Sequence, residues 1–141
     1  MAIRIITDSI SLATRGETDI LDINNKVAAL LNKHELGHGQ ALVFVSGSTA
    51  GITTIEYEPG LLKDIPALFD KLAPPNARYH HEETWHDGNG HSHVRAALQG
   101  CSLTVPFKDG RLLLGTWQQI VLIDFDNRPR QREVIVQLLG E

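Results

Sequence analysis

At 141 residues the chain has the length of one ordinary domain, enough to bury about 70% of its unfolded surface. Apolar residues make up 42% and charged residues 21%, the balance of a soluble globular protein, and the formal charge of −4 argues against a nucleic-acid or anionic-membrane partner. No basic tract, signal peptide or run of about 18 apolar residues is present, so a single cytoplasmic domain over residues 1–141 is expected.

Ile3 to Thr7 reads as a first strand and Thr18 to Asp22 as a second, after an Arg15-Gly16 turn signal. Asp22 is placed to cap a helix in which Ile23, Val27, Leu30 and Leu31 recur at helical spacing, ended by Gly37 and Gly39. Ala41 to Val45 is a continuous apolar run, expected as a strand buried on both faces. After the small, polar Ser46 to Gly51, Ile52 to Tyr57 is strand again. Pro59 suits the first position of a helix with an apolar stripe of Leu61, Ile65, Leu68 and Leu72, stopped by Pro74-Pro75.

Tyr79 to Arg95, YHHEETWHDGNGHSHVR, is the stretch most suited to chemistry. It holds five of the seven histidines, mixed with Glu82, Glu83 and Asp87 and broken by Gly88 and Gly90. It reads as a long loop, and such loops in compact domains are usually functional. The loop leads into a short helix, HSHVRAALQG, with His91, His93 and Arg95 at its first turn, where free backbone N–H groups suit an anion.

The last third is strand-rich. Ser102 to Phe107 alternates, Asp109-Gly110 is a hairpin turn, and Arg111 to Gly115, Gln118 to Phe125 and Glu133 to Leu138 supply further strands. Connections this short rule out crossover helices, so much of the sheet is antiparallel and the class is α+β. The lone cysteine, Cys101, excludes an internal disulfide and reads as a small residue at a strand start.

Four blocks resemble the YjbQ-like family, also described as the secondary thiamine-phosphate synthase family. They are Ser48-Thr49-Ala50-Gly51-Ile52-Thr53 with Glu56, Tyr79 to His81, Asp87-Gly88-Asn89 through His93, and GCSLTVPFKDGRLLLGTWQ at Gly100 to Gln118, the most specific. The resemblance implies a mixed, largely antiparallel sheet curved into a half-barrel with helices on one side, and a homotrimer; because a small curved sheet leaves part of its concave face open, neighbouring subunits are expected to complete the pocket. It also implies thiamine-phosphate synthase activity, a transferase reaction on phosphorylated small molecules. One departure stands out: many members carry His-Thr where this chain has Gly47-Ser48, and Asn-Glu where it has Ile55-Glu56. A site built on that histidine is altered here, and His86 and His91 are candidates to compensate.

His81 and His93 match family positions, so with Glu56 and Asp87 they form the candidate catalytic set. His80, His86 and His91 are particular to this chain. Neutral imidazoles ligate Zn²⁺ or another divalent ion, with His81, His93 and Asp87 as the candidate ligands and Glu56 as the alternative oxygen ligand. Alternatively a histidine acts as general acid or base, or faces phosphate as a cation. On a helix His91 and His93 point about 200° apart and cannot share an ion; an extended turn would put them on one face. Ser48, Thr49, Asn89, Arg111, Gln118 and Arg130 are the candidate contacts to substrate or phosphate. Arg128, Arg130 and Arg132 alternate, so a strand sets all three on one side to grip an anion, or else forms a charged edge. Trp85 or Trp117 can stack on a flat ring.

Three functions fit. The first is an enzyme on a phosphorylated small molecule, with Mg²⁺ helping the diphosphate leave. The second is a metal-dependent hydrolase built on His81, His93 and Asp87, and the third a non-catalytic trimeric metabolite-binding protein.

Overall fold

Strand β1 (Arg4–Thr14) opens the chain and β8 (Arg130–Gly140) closes it, paired antiparallel from Arg4 opposite Gly140 to Thr14 opposite Arg130. The computed structural model describes residues 2–141. Between those strands run β2 (Asp19–Asp22), α1 (Asn24–His34), β3 (Gly39–Val45), β4 (Ala50–Ile55), α2 (Leu61–Leu72), α3 (His81–Trp85), α4 (Gly90–Gln99), β5 (Ser102–Lys108), β6 (Arg111–Leu112) and β7 (Gln119–Asp124).

The strands form a five-stranded sheet in the order β1-β8-β3-β5-β6 and a three-stranded sheet in the order β2-β7-β4. Among the described residues every ladder is antiparallel, because α1 and α4 carry the chain from one sheet to the other and none returns a strand in parallel. The fold is α+β, an antiparallel half-barrel with helices. No helix among the described residues is long and apolar enough to cross a membrane.

Two cores divide the apolar residues. The larger joins Ala41, Val43, Val45, Val134, Val136 and Leu138 to Val27 and Leu31 of α1 and to Ile120 and Leu122 of β7. The smaller packs Val121, Ile123 and Phe125 against Phe69 and Ala96, with the Phe69 and Phe125 rings 4.7 Å apart. Strand β7 therefore feeds both cores with alternate residues, and it is the strand buried on both faces. The expectation had placed that role in Ala41 to Val45, where Leu42 and Phe44 stay half-exposed.

Other boundaries shifted for local reasons. β1 extends to Thr14 because β8 pairs along its whole length. The N-cap of α1 is Ile23, which brings no side-chain cap; Asp22 stands one residue before it and accepts from the Asn24 N–H at 2.9 Å, and Glu35 in a left-handed conformation ends the helix before Gly37. Glu58 accepts from the N–H groups of Gly60 and Leu61, so α2 starts after Pro59. That helix turns Phe69 inward with Leu62 and Ile65 and leaves Leu68 and Leu72 exposed, a phase one residue off the expected stripe. Asp109 and Gly110 both have positive φ and make the expected hairpin turn, while β6 is only two residues long. Arg128 precedes β8, so it does not share a strand face with Arg130 and Arg132.

A tight turn fixes the approach to the site. Gly16, Glu17 and Thr18 all have positive φ, so β2 begins only at Asp19. A Cβ on Gly16 would sit 2.7 Å from the carbonyl oxygens of Asp126 and Arg128, which demands glycine, and the Glu17 N–H donates to Asp126 O at 2.7 Å. The β1–β2 turn is thus clamped against the β7–β8 connection.

A candidate anion and imidazole site

The last residue of β7, Asp124, and Asp126 in the β7–β8 connection are two carboxylates with no exposed surface. Arg132 donates to Asp124 twice, from Nε to Oδ2 at 2.7 Å and from Nη2 to Oδ1 at 2.9 Å, and Arg130 donates from Nε to Asp126 Oδ2 at 2.7 Å. Thr14 and Thr49 hydroxyls, the Asn89 amide and the Asp126 and Asn127 N–H groups satisfy the remaining carboxylate oxygens. Burial alone would raise the Asp126 carboxyl, but hydrogen bonds from Arg130, Asn127, Asn89 and Thr49 outweigh it and hold it below the ordinary range. Arg132 Nη1 and both terminal nitrogens of Arg130 keep no hydrogen-bond partner among the described residues. The arginines are therefore fixed at one edge and open at the other.

Above this floor stand α3 and α4. The sequence predicted a continuous loop before α4, but residues 81–85 make a short helix that His86 ends in a left-handed conformation. The turn between the helices brings the His81 and His93 rings to a centroid separation of 4.3 Å, tilted by 42°. Burial first, and the neighbouring His81 second, hold the His93 imidazole below its ordinary pKa, favouring the neutral ring. His81 Nε2 lies 3.1 Å from Asp87 Oδ1, yet the angle makes no hydrogen bond and the nitrogen stays without a partner.

His91 points the other way, as a helix requires. It is 3% exposed, packs towards Tyr79, and neither ring nitrogen is bonded. It therefore does not compensate for the missing family histidine, and neither does exposed His86. Arg95 is 2% exposed and donates to Ala73 O, Thr18 Oγ1 and Asp70 Oδ1, tying α4 to α2 and the β1–β2 turn. The start of α4 is not open to an anion as expected, because Glu82 accepts from the Gly90 N–H at 2.9 Å.

One hollow of 390 Å³ gathers Ser48, Thr49, Asn89, Arg130, His81, His93 and Asp87 from the predicted set, and Trp85, Gly47 and Arg132 complete its lining. Three predicted residues fall outside it. Glu56 is exposed beyond the end of β4. Arg111 and Gln118 line a separate groove of 530 Å³ between α1 and the β5–β6 hairpin, larger but without a histidine. Gln118 is occupied there: it accepts from the Gly115 N–H and donates to Thr54 Oγ1, which staples its own turn. Trp117 is 71% exposed and does not fill the core.

For a divalent ion, the donor atoms of His81, Glu82 and Asp87 lie within 4.8 Å of one another, so Glu82 rather than His93 is the third member of the cluster. Asp124 and Asp126 were not anticipated. Their signal was present, since Asp124 and Asp126 alternate at the end of an apolar strand just before Arg130 and Arg132.

The sequence pattern of the family described as "UPF0047 protein YjbQ-like" matches residues 8–141. Similar proteins include a UPF0047 protein of Methanocaldococcus jannaschii, 35% identical over 131 residues covering 92% of this chain and 91% of that one. A UPF0047 protein of Archaeoglobus fulgidus is 37% identical over 130 residues, covering 92% and 98%. Among solved structures, a YbjQ-like protein of unknown function from Sulfolobus solfataricus P2 superposes with a TM-score of 0.94 at 31% identity, covering 99% of this chain and 100% of that one. A hypothetical protein from Aeropyrum pernix K1 gives 0.90 at 33% identity, covering 96% and 99%. On this likeness in sequence and fold, the chain belongs to the YjbQ-like UPF0047 family.

Proposed function

We propose that the hollow between α3, α4 and the β7–β8 connection binds a phosphorylated small molecule and transfers protons to or from it through His93, which His81 faces. The observation that carries this reading is the pair of arginines anchored by buried aspartates with their outer N–H groups open to the hollow that both imidazoles line. Guanidiniums held in this way meet a phosphate without reorganising, and that is where electrostatic catalysis gains most. Ser48 and Asn89 add neutral polar contacts, and a neutral His93 is ready to accept a proton.

The reaction class the family resemblance implies is thiamine-phosphate synthesis, in which a hydroxymethylpyrimidine diphosphate joins a thiazole phosphate and diphosphate departs. On this reading Arg130 and Arg132 stabilise the charge gathering on the departing diphosphate, and Trp85, 69% exposed on the rim, offers a face to a planar ring. The open side of the hollow is closed by a neighbouring subunit of a homotrimer, which light scattering on an eluting size-exclusion peak tests directly.

The deciding experiment measures product from the two thiamine precursors with wild type and Arg130→Met. Turnover lost in the variant supports the reading. Ligand-dependent melting with no turnover in the wild type would instead favour a metabolite-binding protein.

A further inference from the structure

Charge in the hollow is divided unevenly. Arg130 and Arg132 stand on the β8 side, each already opposite a buried aspartate, while Asp87, which lines the hollow, and Glu82 behind it stand on the α3 side with no guanidinium or ammonium paired to them among the described residues. Counting the aspartates beneath the floor, and Asp87 with Glu82 behind it, four carboxylates surround two guanidiniums, leaving two formal negative charges in excess while the imidazoles are neutral. A phosphate dianion brought into that setting needs positive charge to accompany it.

The donor atoms indicate where that charge sits. His81 Nε2 is shielded from solvent and approaches Asp87 Oδ1 to 3.1 Å outside hydrogen-bond geometry. Two ligands each about 2.1 Å from one ion, at octahedral to tetrahedral angles, lie roughly 3.0–3.4 Å apart. The unbonded approach therefore has the spacing of two ligands to a shared cation. Asn89, 3% exposed and lining the same hollow, gives its amide N–H to Asp126 and leaves Oδ1 buried without a donor. Glu82 holds the Gly90 N–H through Oε1, which fixes the carboxylate while Oε2 remains unused among the described residues.

We propose that His81, Asp87 and Glu82 bind a divalent transition cation, and that this cation and a phosphate group occupy the hollow together, each strengthening the binding of the other. The inference rests on the phosphate reading above and adds its charge partner. One imidazole with two carboxylates favours an ion of the Mn²⁺ or Zn²⁺ kind over Mg²⁺, which prefers oxygen ligands alone. Linkage makes the coupling reciprocal.

Calorimetric titration of tag-free protein with Mn²⁺ alone, with inorganic phosphate alone, and with each in the presence of the other tests this. The expected result is one Mn²⁺ per chain and a gain in phosphate affinity of about tenfold or more when Mn²⁺ is bound, within the roughly 5–150-fold usual for coupled sites. Mn²⁺ should gain the same factor from phosphate. Asp87→Asn should remove Mn²⁺ binding and the phosphate gain together, with the variant's melting curve confirming its fold. Arg130→Met should keep Mn²⁺ binding and lose the phosphate response. Phosphate binding equally tight in the presence of a chelator would overturn the coupling while leaving the phosphate reading intact. Failure of Mn²⁺ to bind, or binding that Asp87→Asn leaves unchanged, would overturn the cation site. Mn²⁺ binding as expected with no phosphate binding under any condition would overturn the coupling and the phosphate reading together, and leave only the cation site.

Discussion

Arg132 and Asp124 form a closed, two-point pair under the floor of the hollow, Nε to Oδ2 at 2.7 Å and Nη2 to Oδ1 at 2.9 Å, with the carboxylate fully buried. Removing one member of such a pair leaves a charge stranded out of water. Arg132→Met is therefore expected to lose about 3–5 kcal/mol of stability in urea denaturation. Adding Asp124→Leu should recover part of that loss, because the stranded charge goes with it. A single variant as stable as wild type would mean the pair is solvated in practice.

Gln118 sits at the end of the segment most specific to the family, and its amide is used on both sides, by the Gly115 N–H at 3.0 Å and by Thr54 Oγ1 at 3.1 Å. Gln118→Ala should thus cost about 1 kcal/mol, the usual net worth of such hydrogen bonds, and leave phosphate binding unchanged. Calorimetry on the variant checks both. A lost phosphate response would return Gln118 to the site.

The difference between Gln118 and His93 shows what a sequence of this kind can reveal. Periodicity located nearly every strand, and family likeness singled out His81 and His93, whose rings the fold sets 4.3 Å apart. Likeness does not distinguish a residue that touches a ligand from one that holds a turn, which brings Gln118 and Glu56 into the candidate site, and Arg111 enters it on its charge, although the fold sets all three outside the hollow. Asp124 and Asp126 were missed for the opposite reason. Isolated acidic residues read as solvated charges, and only the register of β8 against β1, with the β7–β8 connection folded under it, shows them paired with Arg132 and Arg130. The phase of α2 was misread because Phe69 competes with Leu68 for the core, a contest settled by the ring of Phe125.

His93 faces His81 and is held neutral by burial and by that neighbour, which suits a proton acceptor near neutral pH. His93→Ala is expected to lower turnover of the phosphorylated substrates by about 10²–10⁴-fold, the range for loss of a general acid or base. Phosphate affinity in the presence of Mn²⁺ should change far less, since the arginines remain. An equal loss in both measurements would make His93 a binding residue only.

Away from the hollow, Asp8 joins β1 to α1, with its carboxylate 2.9 Å from His34 Nε2 and 3.1 Å from Lys33 Nζ. Hydrogen bonds from His34, the Ser9 N–H and Lys33 hold its carboxyl well below the usual range. The unfolded chain then takes up the proton at higher pH than the folded one, so this contribution is complete above the ordinary carboxylate value of about 3.9 and is lost as pH falls below it. Thermal melts from pH 6 downwards should show wild type more stable than Asp8→Asn at pH 6 and the gap closing below about pH 4. A gap that stays constant into acid would show that the pair contributes nothing through its charge.

Gly47 is where the arginine floor meets solvent. A Cβ built there would come within 2.8 Å of Arg132 Nη1, the nitrogen left open to the hollow, and the guanidinium has little room to retreat while its other two nitrogens hold Asp124. The backbone at Gly47 is not in the left-handed region, so alanine introduces no conformational strain of its own. Gly47→Ala should therefore fold with a melting temperature lowered less than that of Arg132→Met, because the Asp124 pair is strained and not lost, yet bind phosphate about tenfold or more weakly, the equivalent of one charge-assisted hydrogen bond. Phosphate titration beside a thermal melt reads the two effects separately. Unchanged phosphate affinity in a folded Gly47→Ala protein would exclude Arg132 Nη1 as an anion contact and leave Arg130 to act alone.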